Sequence, residues 1–190
     1  MPDFERLREL RAHHPGAIAE AAASRDRRAL LRRDGRLLIV AADHPARGAF
    51  GVRDVADAMA DRYDLLRRLV ITLQRPGVDG VLGTPDIIED LLLLGALDGK
   101  IVIGSMNRGG LQGAAFELDD RFTGYDAATI AAMGFDGGKM LSRIDLSDAG
   151  SVATLESCGR AITDLAGHGL MAMVEARLSP EGGSAQRPKR

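Results

Sequence analysis

The chain is poor in lysine, cysteine and aromatic residues. Of its 25 basic residues only Lys100, Lys139 and Lys189 are lysines, so nearly every surface cation is written as Arg. The single Cys158 excludes an internal disulfide and a cysteine-based zinc site. It falls in a helical pattern, where a thiol packs as a small apolar residue. Tryptophan is absent and aromatics make up 4% of the residues, too few flat faces for stacking single-stranded nucleic acid. Neither sign of charge dominates. A formal net charge of −2 offers nothing to attract nucleic acid or an anionic membrane. The longest apolar run, "IIEDLLLLGAL", is broken by charge and too short to span a bilayer, and "MPDFERLREL" has no signal-peptide core. The expectation is a cytoplasmic protein without nucleic-acid or membrane partners.

What is present is enough apolar material, 45% of 190 residues, for one globular domain with a real core. The arginines near the N-terminus alternate with Asp and Glu, which predicts a solvated helical face. Five short apolar segments rich in β-branched residues recur: "RLLIVAADH" (36–44), "GVDGVLGT" (77–84), "KIVIGSMN" (100–107), "GFDGGKML" (134–141) and "GLMAMVEA" (169–176). Helical patterns lie between them, over 52–74, 85–97, 125–134 and 148–169, opening near Asp, Pro or a small residue and several closing on Gly. Near-continuous apolar strands alternating with helices predict an α/β fold with a parallel sheet covered by helices.

An open dinucleotide-binding sheet wants G-x-G-x-x-G after the first strand. That position reads "AADHPARGAFG". A (β/α) barrel instead gathers polar residues at the C-terminal ends of its strands. Here Asp43 and His44 follow the first segment, Thr84 the second, and Asn107 and Arg108 the third; Lys139 and Arg143 belong to the fourth and Glu175 to the fifth. The expected fold is therefore TIM-barrel-like, with about five of the eight βα units that need roughly 250 residues. It divides as an N-terminal helical segment (1–35), a partial barrel (36–177) and a disordered tail of Pro, Gly, Ser and Arg (178–190). Five strands leave two open edges, which a second copy of the chain could pair to form a homo-oligomer. A truncated barrel and an open sheet remain as alternatives.

Lys139 carries the chemical interest. Burial lowers a lysine's pKa, and a lysine so tuned forms Schiff bases or moves protons; a lysine ending a strand can also simply reach water. Gly137 and Gly138 would let a ligand approach the backbone, and Arg143 shares the face of Lys139 at even spacing. Glu175, one strand away, could hold the ammonium and pass a proton, or be a surface carboxylate. Asp43 and His44 end an apolar strand with ionisable groups, either as a helix cap and a half-buried histidine or as a loop shaped around a polar ligand with Pro45 and Arg47. Asn107 and Arg108 stand before two glycines, where Arg can grip a carboxylate or phosphate bidentately. Asp43, His44 and Glu175 could ligate a metal, but no His-x-His or His-Glu-x-x-His spacing supports it. His13, His14 and His168 fall at helix ends, as surface residues.

"LLIVAADHPARG" and "GFDGGKMLSRID", followed by "MVEARLS", resemble an actinobacterial aldolase-like family of (β/α)8 fold. That family is similar to the class I tagatose-bisphosphate and fructose-bisphosphate aldolases and to the aldolase domain of inositol catabolism. The resemblance runs from about Arg36 to Glu175. It implies that Asp43 orients substrate and helps proton transfer, and that Lys139 and Glu175 support a Schiff base. In those aldolases the imine-forming lysine lies on strand six, and Lys189 is the one lysine of this chain beyond the fifth segment. The implied activity is carbon–carbon cleavage of a phosphorylated sugar or keto-acid, with Lys139, Asp43 and Glu175 catalytic and no metal or cofactor; on the residue reading above, His44, Asn107, Arg108 and Arg143 bind substrate. A catalytically inactive ligand-binding fragment and a metal-dependent aldolase or isomerase on the same scaffold are the alternatives.

Overall fold

The computed structural model describes residues 2–31 and 34–178. Two short helices come first, α1 (Phe4–His13) and α2 (Ala17–Ser24). Asp3 starts α1 by accepting the Arg6 amide at 2.9 Å, which satisfies one of the free donors of the first turn. Strand and helix then alternate: β1 (Ile39–Ala42), α3 (Arg62–Leu73), β2 (Gly80–Gly83), α4 (Pro85–Leu93), β3 (Ile101–Ser105), α5 (Ala127–Ala132), β4 (Gly137–Ile144), α6 (Gly150–Gly167) and β5 (Met171–Leu178).

The strands lie side by side in chain order, β1-β2-β3-β4-β5, and every neighbouring pair is parallel. A doubly wound sheet would reverse its strand order at a switch point. Here there is none, and the sheet curls into a half-barrel of TIM-barrel-like units, as the sequence predicts.

The two faces of the sheet have different cores. Val81, Val102 and Met140 point outward against helix residues spaced for one apolar stripe, such as Leu65, Leu66, Leu69 and Leu73 of α3 and Cys158, Ala161 and Leu165 of α6. Each leucine so buried contributes about 1.5–3 kcal/mol. Cys158 is thus a packing residue, and burial raises its thiol pKa. On the concave face Leu82, Ile101 and Ile103 form a smaller cluster with Leu30, Leu37, Ile39, Met171 and Met173 packed against it. The lower interior is apolar, and polar side chains begin one layer above.

The N-terminal ends of the strands are closed by arginine. Arg25 is buried and donates to the carbonyls of Lys100 at 2.6 Å and Gly134 at 2.8 Å. In the helical layer outside the sheet, Arg11 of α1 and Arg62 of α3 converge on the buried carboxylate of Asp90 in α4. The expected solvated arginine face is corrected for Arg25, which is buried, and in part for Arg11, which is half-buried, while Arg6 and Arg8 are exposed as expected. Planar guanidinium groups reach several carbonyl or carboxylate oxygens at once, so they tie the N-terminal segment to the barrel.

Element boundaries differ from expectation in three places. The helix expected from 52 begins at Arg62, because Val52 and Val55 bond each other's backbone in a turn, Arg53 adopts φ 55°, and Asp61 caps α3 at the Asp64 amide. β4 runs past Leu141 to Ile144, paired throughout with β5. Glu175 therefore lies inside β5 rather than at its end. Leu178, expected in the tail, closes β5, and residues 179–190 lie outside the described residues. Among the described residues no helix is long and apolar enough to cross a membrane.

Candidate active site

Polar side chains gather where the parallel strands finish. Asp43 follows β1 directly, Asn107 and Arg108 come just after β3, and Lys139, Arg143 and Glu175 lie within β4 and β5. Register carries the concave face from Leu82 through Ile103 to Gly137 and Met171, so Lys139 and Glu175, at even spacing from these, also face the interior. Lys139 stands beside Ser105 on one strand and Met173 on the other.

The Lys139 ammonium donates to Glu175 Oε2 at 2.6 Å and to Asp43 Oδ2 at 3.0 Å. Arg108 Nη2 reaches the same Asp43 oxygen. Two cations meet two carboxylates, which is the balance that four ionised groups need in a partly dry interior. The exposures are uneven. The side chains of Asp43 and Lys139 are 1% and 3% exposed, whereas that of Glu175 is 40% exposed. Solvent reaches this cluster at Glu175.

Burial lowers the pKa of Lys139; the Glu175 hydrogen bond opposes this, and the nearby Arg108 adds to it. For Glu175 burial acts against ionisation, but the Lys139 hydrogen bond and charge outweigh it and hold the pKa below the ordinary value. His44 is half exposed, with Nδ1 3.5 Å from Asp43 Oδ1, and burial followed by the Lys139 charge lowers its pKa. It is a neutral imidazole at neutral pH, able to accept or donate at the rim.

A second group adjoins the first. Arg143 grips Asp120 bidentately, Nε to Oδ2 at 2.7 Å and Nη2 to Oδ1 at 2.8 Å, with both side chains buried. Glu117 Oε1 lies 3.4 Å from both Arg143 Nη1 and Arg47 Nη2. Sequence reading singled out Arg143 here; Glu117 and Asp120 escaped it. Their signal was the length of the β3–α5 connection, residues 106–126, since so long a segment without regular structure is usually functional.

Two expected ligand contacts are used by the protein itself. Asn107 Oδ1 accepts the Leu141 amide and its Nδ2 donates to the Leu141 carbonyl, both at 2.7 Å. The side chain thus extends the β3–β4 pairing beyond Ser105. Gly137 and Gly138 make room for the protein rather than for a ligand. A Cβ at Gly137 would stand 2.4 Å from the Met171 carbonyl oxygen, and one at Gly138 2.4 Å from Met106 Sδ. Lys100 is at the opposite end of the barrel, donating to the Val78 carbonyl at 2.8 Å. Among the described residues no three His, Cys, Asp or Glu side chains group so as to hold a metal ion.

Comparison with known proteins places this architecture. No curated protein matches the chain. The crystal structure of Cgl0159 from Corynebacterium glutamicum matches with a TM-score of 0.89 and 55% identity over 94% of this chain. The match covers 61% of the C. glutamicum chain, so the present chain spans about three fifths of that relative's length. The model of the Cgl0159-like family matches residues 35–187. This half-barrel, with its Asp43–Lys139–Glu175 cluster, belongs to the Cgl0159-like family.

Proposed function

We propose that the site performs class I aldolase-type chemistry, cleaving a carbon–carbon bond of a phosphorylated sugar or keto-acid through an imine on Lys139. The observation that supports this most directly is the buried Nζ at 2.6 Å from one carboxylate and 3.0 Å from another, in a chain that otherwise uses arginine. Burial favours the neutral amine, which is the nucleophile.

The amine adds to the substrate carbonyl carbon, and the resulting carbinolamine loses water to give an iminium. The bond between the carbons α and β to that centre then breaks. Its electron pair passes into an enamine, and the β-hydroxyl proton moves to a carboxylate as the aldehyde leaves. Glu175, facing solvent, exchanges protons with water, and buried Asp43 orients the amine. Protonation of the enamine carbon and hydrolysis return the free amine. Arg108, with Nε unpartnered and buried, and Arg143 are placed to hold the substrate's anionic group.

The test is borohydride reduction in the presence of dihydroxyacetone phosphate. An irreversible adduct that requires both reagents, and is lost in Lys139→Ala, supports the reading. Folded protein that gains none overturns it.

The pairing of Lys139 Nζ with two carboxylates, which favours the charged and non-nucleophilic amine, supports a second reading, a site that binds such a ligand without turnover. It differs in retaining the sugar phosphate unchanged over hours.

A further inference from the structure

Arg47 and Arg143 share one loosely held carboxylate. Asp120 saturates Nε and Nη2 of Arg143 at 2.7 and 2.8 Å and is itself buried, so this pair is a fixed part of the fold. Arg143 Nη1 has Glu117 Oε1 at 3.4 Å, and Arg47 Nη2 has the same oxygen at 3.4 Å. Charge-assisted hydrogen bonds normally close to about 2.7–2.9 Å. Arg47 Nε is buried and without a hydrogen-bond partner, although the residue is only 8% exposed. One nitrogen of each guanidinium group therefore approaches a single oxygen that neither holds tightly, and Arg47 Nε has no partner.

Glu117 differs from the groups around it. Its side chain is 39% exposed, against 10% for Arg47, 7% for Arg143 and none for Asp120. Its other oxygen accepts the Gly113 amide at 2.9 Å, within the same loop. That loop is seated on the site by the Gln112 amide, which donates to the Arg47 carbonyl at 2.8 Å. The seat is built for a close approach, because a Cβ on Gly110 would stand 2.3 Å from Arg143 Nη2 and 2.0 Å from the Glu117 carbonyl oxygen. Glu117 also lines a cavity of about 810 Å³, with Arg121 on its wall.

We propose that Arg47 and Arg143 form an oxyanion site that Glu117 occupies as an internal substitute, and that the phosphate or carboxylate of a substrate binds there by displacing it. A tetrahedral or planar oxyanion presents more than one oxygen. It can reach Arg143 Nη1, Arg47 Nη2 and the idle Arg47 Nε together, where the Glu117 contact spends one oxygen. Bound there, it also meets a site in which Arg47 and Arg108 both add positive charge around Lys139. In the absence of ligand Glu117 balances the one positive charge that Asp120 leaves on the two guanidinium groups. The inference rests on the lyase reading for the identity of the ligand, but the oxyanion site itself does not require Lys139 to react.

The experiment is calorimetric titration of the full chain, its Glu117→Gln variant and the double variant that adds Arg47→Gln, with inorganic phosphate and, separately, with pyruvate. Removing the competing charge in Glu117→Gln should tighten phosphate by up to about fivefold, the equilibrium equivalent of one partly exposed ion pair, and adding Arg47→Gln to it should abolish the gain. A larger gain for phosphate than for pyruvate identifies a phosphorylated ligand, and the reverse a keto-acid; both support the site. Unchanged affinity for both anions in Glu117→Gln, with the variant folded, overturns it. If phosphate tightens while no imine can be trapped on Lys139, the oxyanion site stands and the lyase reading falls. If an imine forms while Glu117→Gln leaves anion affinity unchanged, the reverse holds.

Discussion

Lys139 and Glu175 meet across the β4–β5 pair with Nζ 2.6 Å from Oε2, although neither is the other's register partner. Lys139 pairs with Met173 and Glu175 with Leu141, so the contact spans a two-residue offset along one face of two parallel strands. Only a long amine can cover it. Arg143, on the same strand and face, turns instead to Asp120.

This contact sets a pH dependence. Burial lowers the Lys139 pKa below 10.5 and the Glu175 hydrogen bond opposes that, so removing Glu175 should lower it further. The rate of imine trapping should rise with pH to a midpoint below 10.5 in the native chain, and Glu175→Gln should move that midpoint down. The check is adduct formation followed by mass spectrometry across pH 6–11 at fixed substrate concentration. A midpoint that rises in Glu175→Gln contradicts the assignment.

The same pair links to stability with the opposite sign. Glu175 has a folded pKa below its ordinary 4.5, so it contributes stability that is present above that value and is lost as the pH falls through the lowered one. Thermal unfolding of native protein and Glu175→Gln should therefore differ at neutral pH and converge in acid.

Asp43 should be the costlier residue to remove. It is buried, and its Oδ2 takes both Lys139 and Arg108. Asp43→Ala would leave two interior cations short of a partner, and breaking a buried pair in this way costs about 3–5 kcal/mol. Urea unfolding gives the value directly; a loss below about 1 kcal/mol would show that the interior tolerates the cations unaided.

How much of this was legible in the sequence depends on range. The five strands were visible because parallel strands buried on both faces are written as apolar runs, and "GGKML" placed a lysine inside one of them. Their C-terminal ends gave Asp43, Arg108, Lys139 and Glu175, which the fold does bring together. What escaped depends on tertiary approach. Nothing local says that Asp120 will cross to β4 to clasp Arg143, or that Arg25 will reach the carbonyls of Lys100 and Gly134. The helix was drawn too early because "VRDVADAM" carries a helical period, while the Val52–Val55 backbone pairing that overrides it is a matter of turn geometry. Gly137 and Gly138 looked like space for a ligand, and Met171 and Met106 fill that space.

Asn107 separates support from recognition. Its amide satisfies both backbone groups of Leu141 at 2.7 Å in a buried setting. Asn107→Ala should cost about 2–4 kcal/mol, from two unsatisfied groups at the β3–β4 seam, and leave phosphate affinity unchanged at temperatures where the variant is folded. Unfolding and phosphate titration of the one variant check both halves.

In the proposed reaction Lys139 is the amine that meets substrate. The most direct measurement is peptide mapping of the borohydride-reduced adduct formed with dihydroxyacetone phosphate, which distinguishes Lys139 from Lys100 and Lys189. One modified peptide, carrying Lys139, is expected. An adduct on either other lysine with Lys139 untouched, or folded protein that acquires none, would contradict it.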